Sequence, residues 1–198
     1  MPAVRLTRKE KQERTRAAIL GAAATLFADQ GLEGTSMEAI ARQAGLTQGA
    51  IYSNFASKAE LWWALVDEQT RTIDLADLLG TERSLRDDLA SIGRAVWQLL
   101  RATSRTDLLL AQEFDLFLMR RPRERSKYAR GVRQGQSKLA ALLADRAAER
   151  GEPLPIDADR LARTVECIAY GLLHTFMLDP RVVDEELCVG AFTSLATQ

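Results

Sequence analysis

Residues with distinctive chemistry are scarce in this chain of 198 residues. It contains one histidine and two cysteines, and aromatic residues make up only 6% of it. The cysteines, Cys167 and Cys188, do not form a CxxC pair, so neither a zinc site nor a redox motif is indicated, and we expect buried, reduced thiols. The single histidine excludes every metal motif that needs two. We therefore expect neither a metal ion nor any other cofactor.

Long hydrophobic runs are also missing. No stretch of about 18 apolar residues is present, so a membrane span is not expected, and the basic N-terminus leads into no signal-like apolar core. We therefore expect a cytoplasmic protein without a membrane partner. Glycine and proline are few, at 12 and 5 residues, and alanine and leucine dominate, which favours helices. Because no strand-like alternation is seen, the predicted fold class is all-α.

Charges of the two signs balance but are unevenly distributed. The formal net charge is zero, whereas residues 1–16 carry six basic and two acidic side chains. A basic N-terminal segment on an otherwise slightly acidic chain favours a polyanionic partner that binds this segment alone. The alternative is a solvated, frayed N-terminal tail.

Helical periodicity begins at Arg14. Apolar residues then recur on one helix face, namely Ile19, Ala22, Ala23, Leu26 and Phe27. Gly31 follows where a left-handed C-terminal cap is expected. Beyond Gly80 the pattern predicts further helices, separated at Pro122, Gly151 and Asp179-Pro180 by residues that interrupt or end a helix. Their predicted spans are about 84–102, 105–120, 123–150, 157–178 and 184–196.

Capping signals between residues 35 and 60 predict two short helices and the start of a longer helix that follows them. Thr35 and Glu38 have the spacing of a capping box, which places the start of a second helix. Gly45 ends that helix after about two and a half turns, and Thr47 is a good N-cap for a third helix. A second capping box begins at Ser57 and opens a fourth helix.

The turn at residues 45–47 allows the two short helices to cross steeply, as in a helix-turn-helix. Gly45 permits the tight turn and Leu46 fills the shared core. The third helix directs Ile51 and Phe55 inward. Its outward residues are small or hydrogen-bonding and include no carboxylate, which suits the anionic major groove. They are Gln48, Gly49, Tyr52 and Ser53, with Asn54 near the end. Any short helix pair shares this periodicity, so the pattern alone leaves the function open.

The segment GTSMEAIARQAGLTQGAIYSNFASKAEL resembles the DNA-binding signature of the tetracycline-repressor (TetR) family. The resemblance extends over residues 14–66. It departs from the family at Ser53-Asn54, where many members have an aromatic residue followed by histidine. The matching positions of the signature are Thr35, Ser36, Ile40, Ala41, Ala44, Gly45, Leu46, Thr47, Gly49, Tyr52, Phe55, Lys58 and Leu61.

The resemblance implies an N-terminal three-helix, helix-turn-helix DNA-binding domain over residues 1–58 and a C-terminal helical ligand-binding and dimerisation domain over residues 59–198. It implies that Gln48, Gly49 and Tyr52 approach base edges of double-stranded DNA. Backbone contacts are expected from the basic N-terminal arm and from a set of polar residues. That set is Ser36, Thr47, Ser53, Asn54 and Lys58.

The segment 157–178 is apolar on two sides and is therefore expected to be buried on both. We expect one stripe to form a four-helix interface with a second copy of the chain, together with Leu139, Leu142 and Leu143; a core helix within one chain is the alternative. Two recognition helices about one turn of DNA apart would then read a palindromic operator. The stripe consists of Leu161, Val165, Ile168, Ala169, Leu172 and Phe176.

A second stripe of that segment, expected to face away from the dimer interface, contains Cys167, Tyr170, Gly171, His174 and Met177. The family resemblance implies a pocket for a small apolar or amphipathic ligand beside this stripe. For each single residue, plain core packing is the alternative. The pocket candidates are Trp97, Phe114, Phe117 and Tyr128, with Glu113, Tyr170 and His174 as the polar members.

The expected function is a TetR-type transcriptional repressor that a small ligand releases from its operator. A helix-turn-helix regulator or architectural DNA binder without a ligand is the alternative. An enzyme is not expected, because the sequence contains no P-loop, no GxGxxG, no HExxH and no plausible set of serine, acid and histidine around its one histidine.

Overall fold

The structure is a computed structural model that describes residues 7–70 and 84–196, the side chains of residues 68–70 excepted. The described residues form α-helices and two 3₁₀ turns and no strand, which confirms the all-α prediction. The first six residues of the expected basic arm, and Gly80, lie outside this part. The helices are α1 (Arg8–Gly34), α2 (Met37–Gln43), α3 (Gln48–Tyr52), α4 (Lys58–Thr70), α5 (Leu85–Ala102), α6 (Arg105–Arg120), α7 (Pro122–Arg150), α8 (Ala158–Leu178) and α9 (Glu185–Thr193), with 3₁₀ turns at Pro180–Val182 and Ser194–Ala196.

The helices gather into two compact units that are not contiguous in sequence. The N-terminal unit contains α1–α4 and also α6, since Ser104–Arg120 groups with Met1–Thr72. The C-terminal unit contains α5 and α7–α9. The expected functional division at residue 58 remains a prediction. Among the described helices, none combines the length and the apolar character needed to cross a membrane.

Aromatic side chains from three helices fill the core of the N-terminal unit. Trp62 on α4 is buried, and its ring centroid lies 5.1 Å from that of Phe27 on α1 in an edge-on arrangement. Phe117 on α6 lies 6.1 Å from Trp62. The neighbouring Trp63 contacts Phe114 edge-on at 5.7 Å. Aromatic pairs of this geometry add to the free energy gained by burial, so α6 is an integral part of this core.

Helix α1 begins two turns before the periodicity that predicts it. Thr7 is its N-cap: the Thr7 hydroxyl accepts the Glu10 amide hydrogen at 3.3 Å, and the Glu10 carboxylate accepts the Thr7 amide hydrogen at 2.7 Å. This backbone hydrogen bond is the largest cause of a lowered pKa of Glu10. Residues 8–18 are mainly exposed, so no apolar pattern marks them. The described part of the expected arm is therefore helical.

A close helix crossing holds α5 against α9 in the C-terminal unit. A Cβ atom at Gly93 would lie 2.7 Å from the Cα atom of Val189, well inside van der Waals contact. Glycine is therefore required here for the approach of two backbones rather than for an unusual backbone conformation. Around this crossing, buried side chains such as Leu89, Cys188 and Phe192 form the core.

A buried ion-pair network joins α5 to the end of α7. The Asp88 side chain is completely buried, and its carboxylate is paired with Arg146 Nη2 and with Arg150 Nη1, each at 2.8 Å. Arg150 also lies 3.3 Å from Glu152, which in turn accepts the Leu85 amide hydrogen at 2.8 Å. A buried carboxylate is tolerated because both of its oxygens have cationic partners.

The two apolar stripes of α8 differ in burial from what the sequence predicts. Leu161, Val165 and Leu172 are buried within the single chain, where they belong to the core of the C-terminal unit. The other stripe is exposed, with Tyr170 at 55% and His174 also at the surface. The prediction that the first stripe forms the dimer interface is therefore wrong. Both stripes have the same period, so sequence could not show which one its own chain covers.

The two cysteines differ in environment. Cys188 is buried, as predicted, and burial raises the pKa of its thiol, with a further contribution from nearby Asp184 and Glu185. Cys167 is a free thiol exposed on α8, so its predicted burial is wrong for the single chain. Thiolate is the reactive form of cysteine, so Cys188 is expected to be the less reactive of the two.

Replacing the buried carboxylate tests the network. We expect Asp88→Ala to lower the free energy of unfolding by about 3–5 kcal/mol, because Arg146 and Arg150 lose their buried counter-charge. Urea denaturation measures this loss. Asp179→Ala is the matched control, since Asp179 pairs with Arg181 at 2.8 Å at the surface, where ion pairs contribute little. Equal losses in the two variants would contradict the expectation.

Candidate nucleic-acid interface

Helix α2 is capped by Ser36 and not by Thr35. The Ser36 Oγ atom accepts the Ala39 amide hydrogen at 3.0 Å. Thr35 is 2% exposed, and its hydroxyl lies 3.1 and 2.9 Å from two carbonyl oxygens of α1. The predicted capping box of Thr35 and Glu38 is therefore wrong. Buried hydroxyls require acceptors, and Thr35 finds them at the end of α1 instead.

The turn between α2 and α3 closes as the sequence predicts. Gly45 has a φ of 67°, a left-handed conformation that favours glycine. The Leu46 amide donates to the Ala41 carbonyl at 2.9 Å, and the Gly45 amide donates to the Arg42 carbonyl at 3.2 Å. These two bonds form the Schellman arrangement that satisfies the last carbonyls of a helix. Leu46 packs half-buried against the core of the N-terminal unit.

Helix α3 is short and is held in place by a cap and by buried side chains. The Thr47 Oγ1 atom caps it by accepting the Ala50 amide hydrogen at 3.2 Å. Ile51 and Phe55 are 0% and 1% exposed, so both side chains enter the core as predicted. Short helices are marginal in water without tertiary contacts, and these two residues supply them.

The opposite face of α3 is exposed and carries no acidic side chain. It includes Tyr52, whose side chain is 54% exposed. The face therefore presents hydrogen-bonding groups and a glycine to solvent at the start of the helix. Its exposed members are Thr47, Gln48, Gly49, Tyr52 and Ser53, five of the eight residues for which sequence predicts DNA contacts; Ser36, at the start of α2, is exposed as well.

Several predicted phosphate ligands also form bonds within the protein. Ser53 Oγ and Asn54 Nδ2 both lie within hydrogen-bond distance of the Ala50 carbonyl, at 2.9 and 2.8 Å. Lys58 Nζ donates to the Thr35 carbonyl at 2.9 Å. Lys58 thus joins the start of α4 to Thr35, two residues before α2. Their contacts with DNA remain predictions, and the structure adds a second role for Lys58 in holding this part of the fold.

Arg16 is a residue that the sequence pattern did not single out. Its guanidinium lies 4.5 Å from the centroid of the Phe55 ring, in the geometry of a cation–π contact. The contact joins the basic part of α1 to the end of α3. In sequence Arg16 counts only as one more charge of the basic arm, because no spacing rule relates it to Phe55.

Three pocket candidates lie on α6 within the N-terminal unit. Phe114 and Phe117 pack against the two tryptophans of α4. The Glu113 carboxylate accepts the amide hydrogen of Leu32, at the end of α1, at 3.0 Å. Each of the three therefore makes defined contacts within this unit.

The remaining pocket candidates belong to the C-terminal unit. Trp97 is half-buried, with its ring 6.5 Å from that of Phe176 and 6.0 Å from the guanidinium of Arg101. Tyr170 and His174 are exposed on α8. Tyr128 on α7 is 37% exposed. Whether the candidates of the two units line one ligand pocket remains a prediction.

Helices α2 and α3, joined by a tight glycine turn, have the arrangement of a helix-turn-helix, the motif of a class of DNA-binding proteins. A family model described as "Bacterial regulatory proteins, tetR family" matches residues 19–65. The HTH-type transcriptional regulator TtgR of Pseudomonas putida is 32% identical over 192 residues, which cover 91% of this chain and 88% of TtgR. The chain belongs to the TetR family.

Two further relatives agree with this membership. The probable HTH-type transcriptional regulator ArpR, also of Pseudomonas putida, is 34% identical over 193 residues, with the same coverage of 91% and 88%. The structure of NalD, the secondary repressor of the MexAB-OprM multidrug efflux pump in Pseudomonas aeruginosa, is 28% identical with a TM-score of 0.67 and covers 96% of this chain and 99% of that chain. The protein is accordingly a DNA-binding transcriptional regulator and not an enzyme.

Proposed function

We propose that this regulator is a cytoplasmic repressor that binds a palindromic operator as a homodimer and is released by a small apolar or amphipathic ligand. The observation that carries the proposal is the outer face of α3, which is exposed, free of acidic side chains and held in place by Ile51 and Phe55. The repressor activity that the name of NalD states for that protein supports the same activity here.

The order of residues along α3 suits reading of the major groove. Gln48 is the first residue of the helix, and its amide can donate to and accept from one base edge. Gly49 has no side chain and allows close approach, while Tyr52 lies one turn further on. Basic residues in the first turns of α1 supply charge for the phosphate backbone. The exposed ones are Arg8, Lys9, Lys11, Arg14 and Arg16.

Gln48→Ala tests the proposed base reading. On an operator duplex selected from random DNA, we expect a loss of about 1–3 kcal/mol in specific affinity with little change in non-specific affinity. Fluorescence titrations with the operator duplex and with an unrelated duplex measure the specific and non-specific affinities. Footprinting shows whether the protected site is palindromic. Gln98→Ala, on the exposed side of α5, is the matched control. Sequence-independent coating of DNA would instead indicate an architectural protein.

The exposed stripe of α8 is the surface that we assign to the dimer. Tyr170 is 55% exposed and Leu178 is 76% exposed, and Gly171 lies at the surface between them with nothing within 4 Å of a Cβ atom placed on it. Large apolar side chains grouped on one helix face favour a protein interface. Glycine at its centre permits the α8 helix of a second copy to approach closely. Two copies then present two α3 helices to successive turns of DNA.

We expect Gly171→Arg to convert a dimer into a monomer at micromolar concentration, because the long cationic side chain would enter the interface. Sedimentation velocity measures the change. Gly21→Arg is the matched control, since Gly21 is exposed on α1 and equally open. Cys167 provides a second measurement: a thiol reagent is expected to label it faster in the monomeric variant, with buried Cys188 as the internal reference. A wild-type monomer would refute the dimer.

For a bound ligand to release DNA, its contacts must alter the position of α3. We propose that the ligand contacts Phe114 and Phe117 on α6. Phe114 and Phe117 pack against the tryptophans of α4, and Lys58 at the start of α4 is bonded to Thr35. A ligand that displaces α6 would therefore act on the helix-turn-helix through α4. It releases DNA only if it binds the state that cannot bind DNA more tightly.

A panel of small apolar and amphipathic compounds tests this release. We expect at least one compound to weaken operator binding by roughly 5- to 150-fold, the range of ordinary coupling free energies. By reciprocity, operator DNA should weaken binding of the same compound by the same factor. Operator titrations with and without each compound measure the effect. Unchanged operator affinity across the panel would favour a regulator that takes no ligand.

A further inference from the structure

The corner between α1 and α2, residues 31–36, directs the chain from the first helix into the helix-turn-helix. Gly31 leaves the helical conformation with φ 73° and ψ 163°. The next amide, that of Leu32, donates to the Glu113 carboxylate at 3.0 Å. Leu32 is 2% exposed, so water cannot readily replace this acceptor. The corner therefore depends on a side chain from α6, which lies far away in sequence.

The Glu113 carboxylate also rests on Gly31 itself. A Cβ atom at position 31 would lie 3.2 Å from Oε1 and 3.3 Å from Oε2 of Glu113. Glycine is required at this position for its backbone conformation, and it also leaves the carboxylate room that a Cβ atom would reduce by a few tenths of an ångström.

Two further side chains close the same corner. The Thr35 hydroxyl lies 2.9 Å from the Gly31 carbonyl oxygen. The Thr35 carbonyl accepts a hydrogen bond from Lys58 at 2.9 Å. Ser36, the next residue, caps α2. The direction in which α2 starts, and with it the placement of α3, is therefore set by contacts from α4 and α6.

We propose that Glu113 is a positioning residue for DNA reading: its carboxylate holds the corner at Gly31–Leu32 and so transmits displacements of α6 to the helix-turn-helix. The proposal rests on the proposed function and assigns Glu113 a role other than fixing a ligand. A hydrogen bond to a carboxylate is stronger than a neutral one, and loss of it would leave a buried amide without an acceptor. If α6 moves away from α1, the Leu32 amide loses its acceptor and the conformation of the corner is therefore expected to change.

Two substitutions at Glu113 distinguish the effect of the hydrogen-bond acceptor from that of side-chain volume. Glu113→Gln keeps an oxygen that can accept from Leu32, whereas Glu113→Leu keeps a similar volume without an acceptor. We expect Glu113→Leu to weaken operator binding by roughly 5- to 150-fold, as a coupling of ordinary size would, and Glu113→Gln to restore most of the affinity. Asp107→Ala is the matched control, since it removes a carboxylate that bonds Ser104 at the start of the same helix. It should lower Tm without this loss.

Gly31→Ala provides an independent test of the contact. Its methyl group would crowd the carboxylate and strain the backbone of the corner, so it should weaken operator binding as Glu113→Leu does. Gly151→Ala is a control for the replacement of a glycine with positive φ, since nothing lies within 4 Å of its added Cβ atom. Its ψ of 24° is less demanding than the 163° of Gly31, so it gives a lower bound for the backbone strain. In the double variant Gly31→Ala/Glu113→Leu the combined loss should be smaller than the sum of the two single losses, since both variants remove one contact. Additive losses would overturn the proposal.

Amide hydrogen exchange of the full-length protein gives a readout that needs no DNA. In Glu113→Leu, exchange should accelerate at Leu32 and also throughout α2 and α3, because their placement depends on the corner. Acceleration confined to α6, or a lower Tm with wild-type exchange in α2 and α3, would show that Glu113 is only structural and would overturn the proposal. If no palindromic site exists, the proposed function fails while the exchange result still decides the role of Glu113.

Discussion

The burial of Ile51 and Phe55 is the contact on which the exposed outer face of α3 depends. Helix α3 has only five residues, too few to persist in water without tertiary support. With these two side chains in the core, the other face of the helix must point outward, and it carries Gln48 and Tyr52. The Arg16 guanidinium over the Phe55 ring adds a contact from α1 at the end of the same helix. The orientation of the outer face of α3 is thus a consequence of how the inner face is packed.

That packing is completed by a helix from another part of the sequence. Phe114 and Phe117 of α6 contact the tryptophans of α4, and Glu113 of the same helix bonds to the end of α1. The unit that holds the helix-turn-helix therefore includes residues that a division at residue 58 assigns to the ligand-binding part. The side chains of α6 are therefore part of the core that supports the helix-turn-helix.

The errors of sequence interpretation share one cause. Thr35 and Ser36 are adjacent hydroxyl residues, and either can cap α2; Thr35 fails to do so because it is buried against α1. The two stripes of α8 are equally periodic, and only their burial shows that Leu161 faces the core while Tyr170 faces solvent. The first turns of α1 were missed because they are exposed and lack an apolar face. In the first two cases the local pattern was compatible with two environments, and in the third no apolar pattern was present.

The amino-acid sequence predicts most of the helices, the tight turn at Gly45 and the outward face of α3, because capping, glycine conformation and helical periodicity are local properties of neighbouring residues. The family signature carried the assignment to DNA-binding regulators for the same reason, since it lies within one continuous segment. Three features became visible only in the folded chain: α6 packs with the N-terminal helices, Glu113 accepts the Leu32 amide hydrogen, and Asp88 is buried between Arg146 and Arg150. These contacts join residues far apart in the chain, and their energies depend on burial and distance, which no spacing along a sequence records.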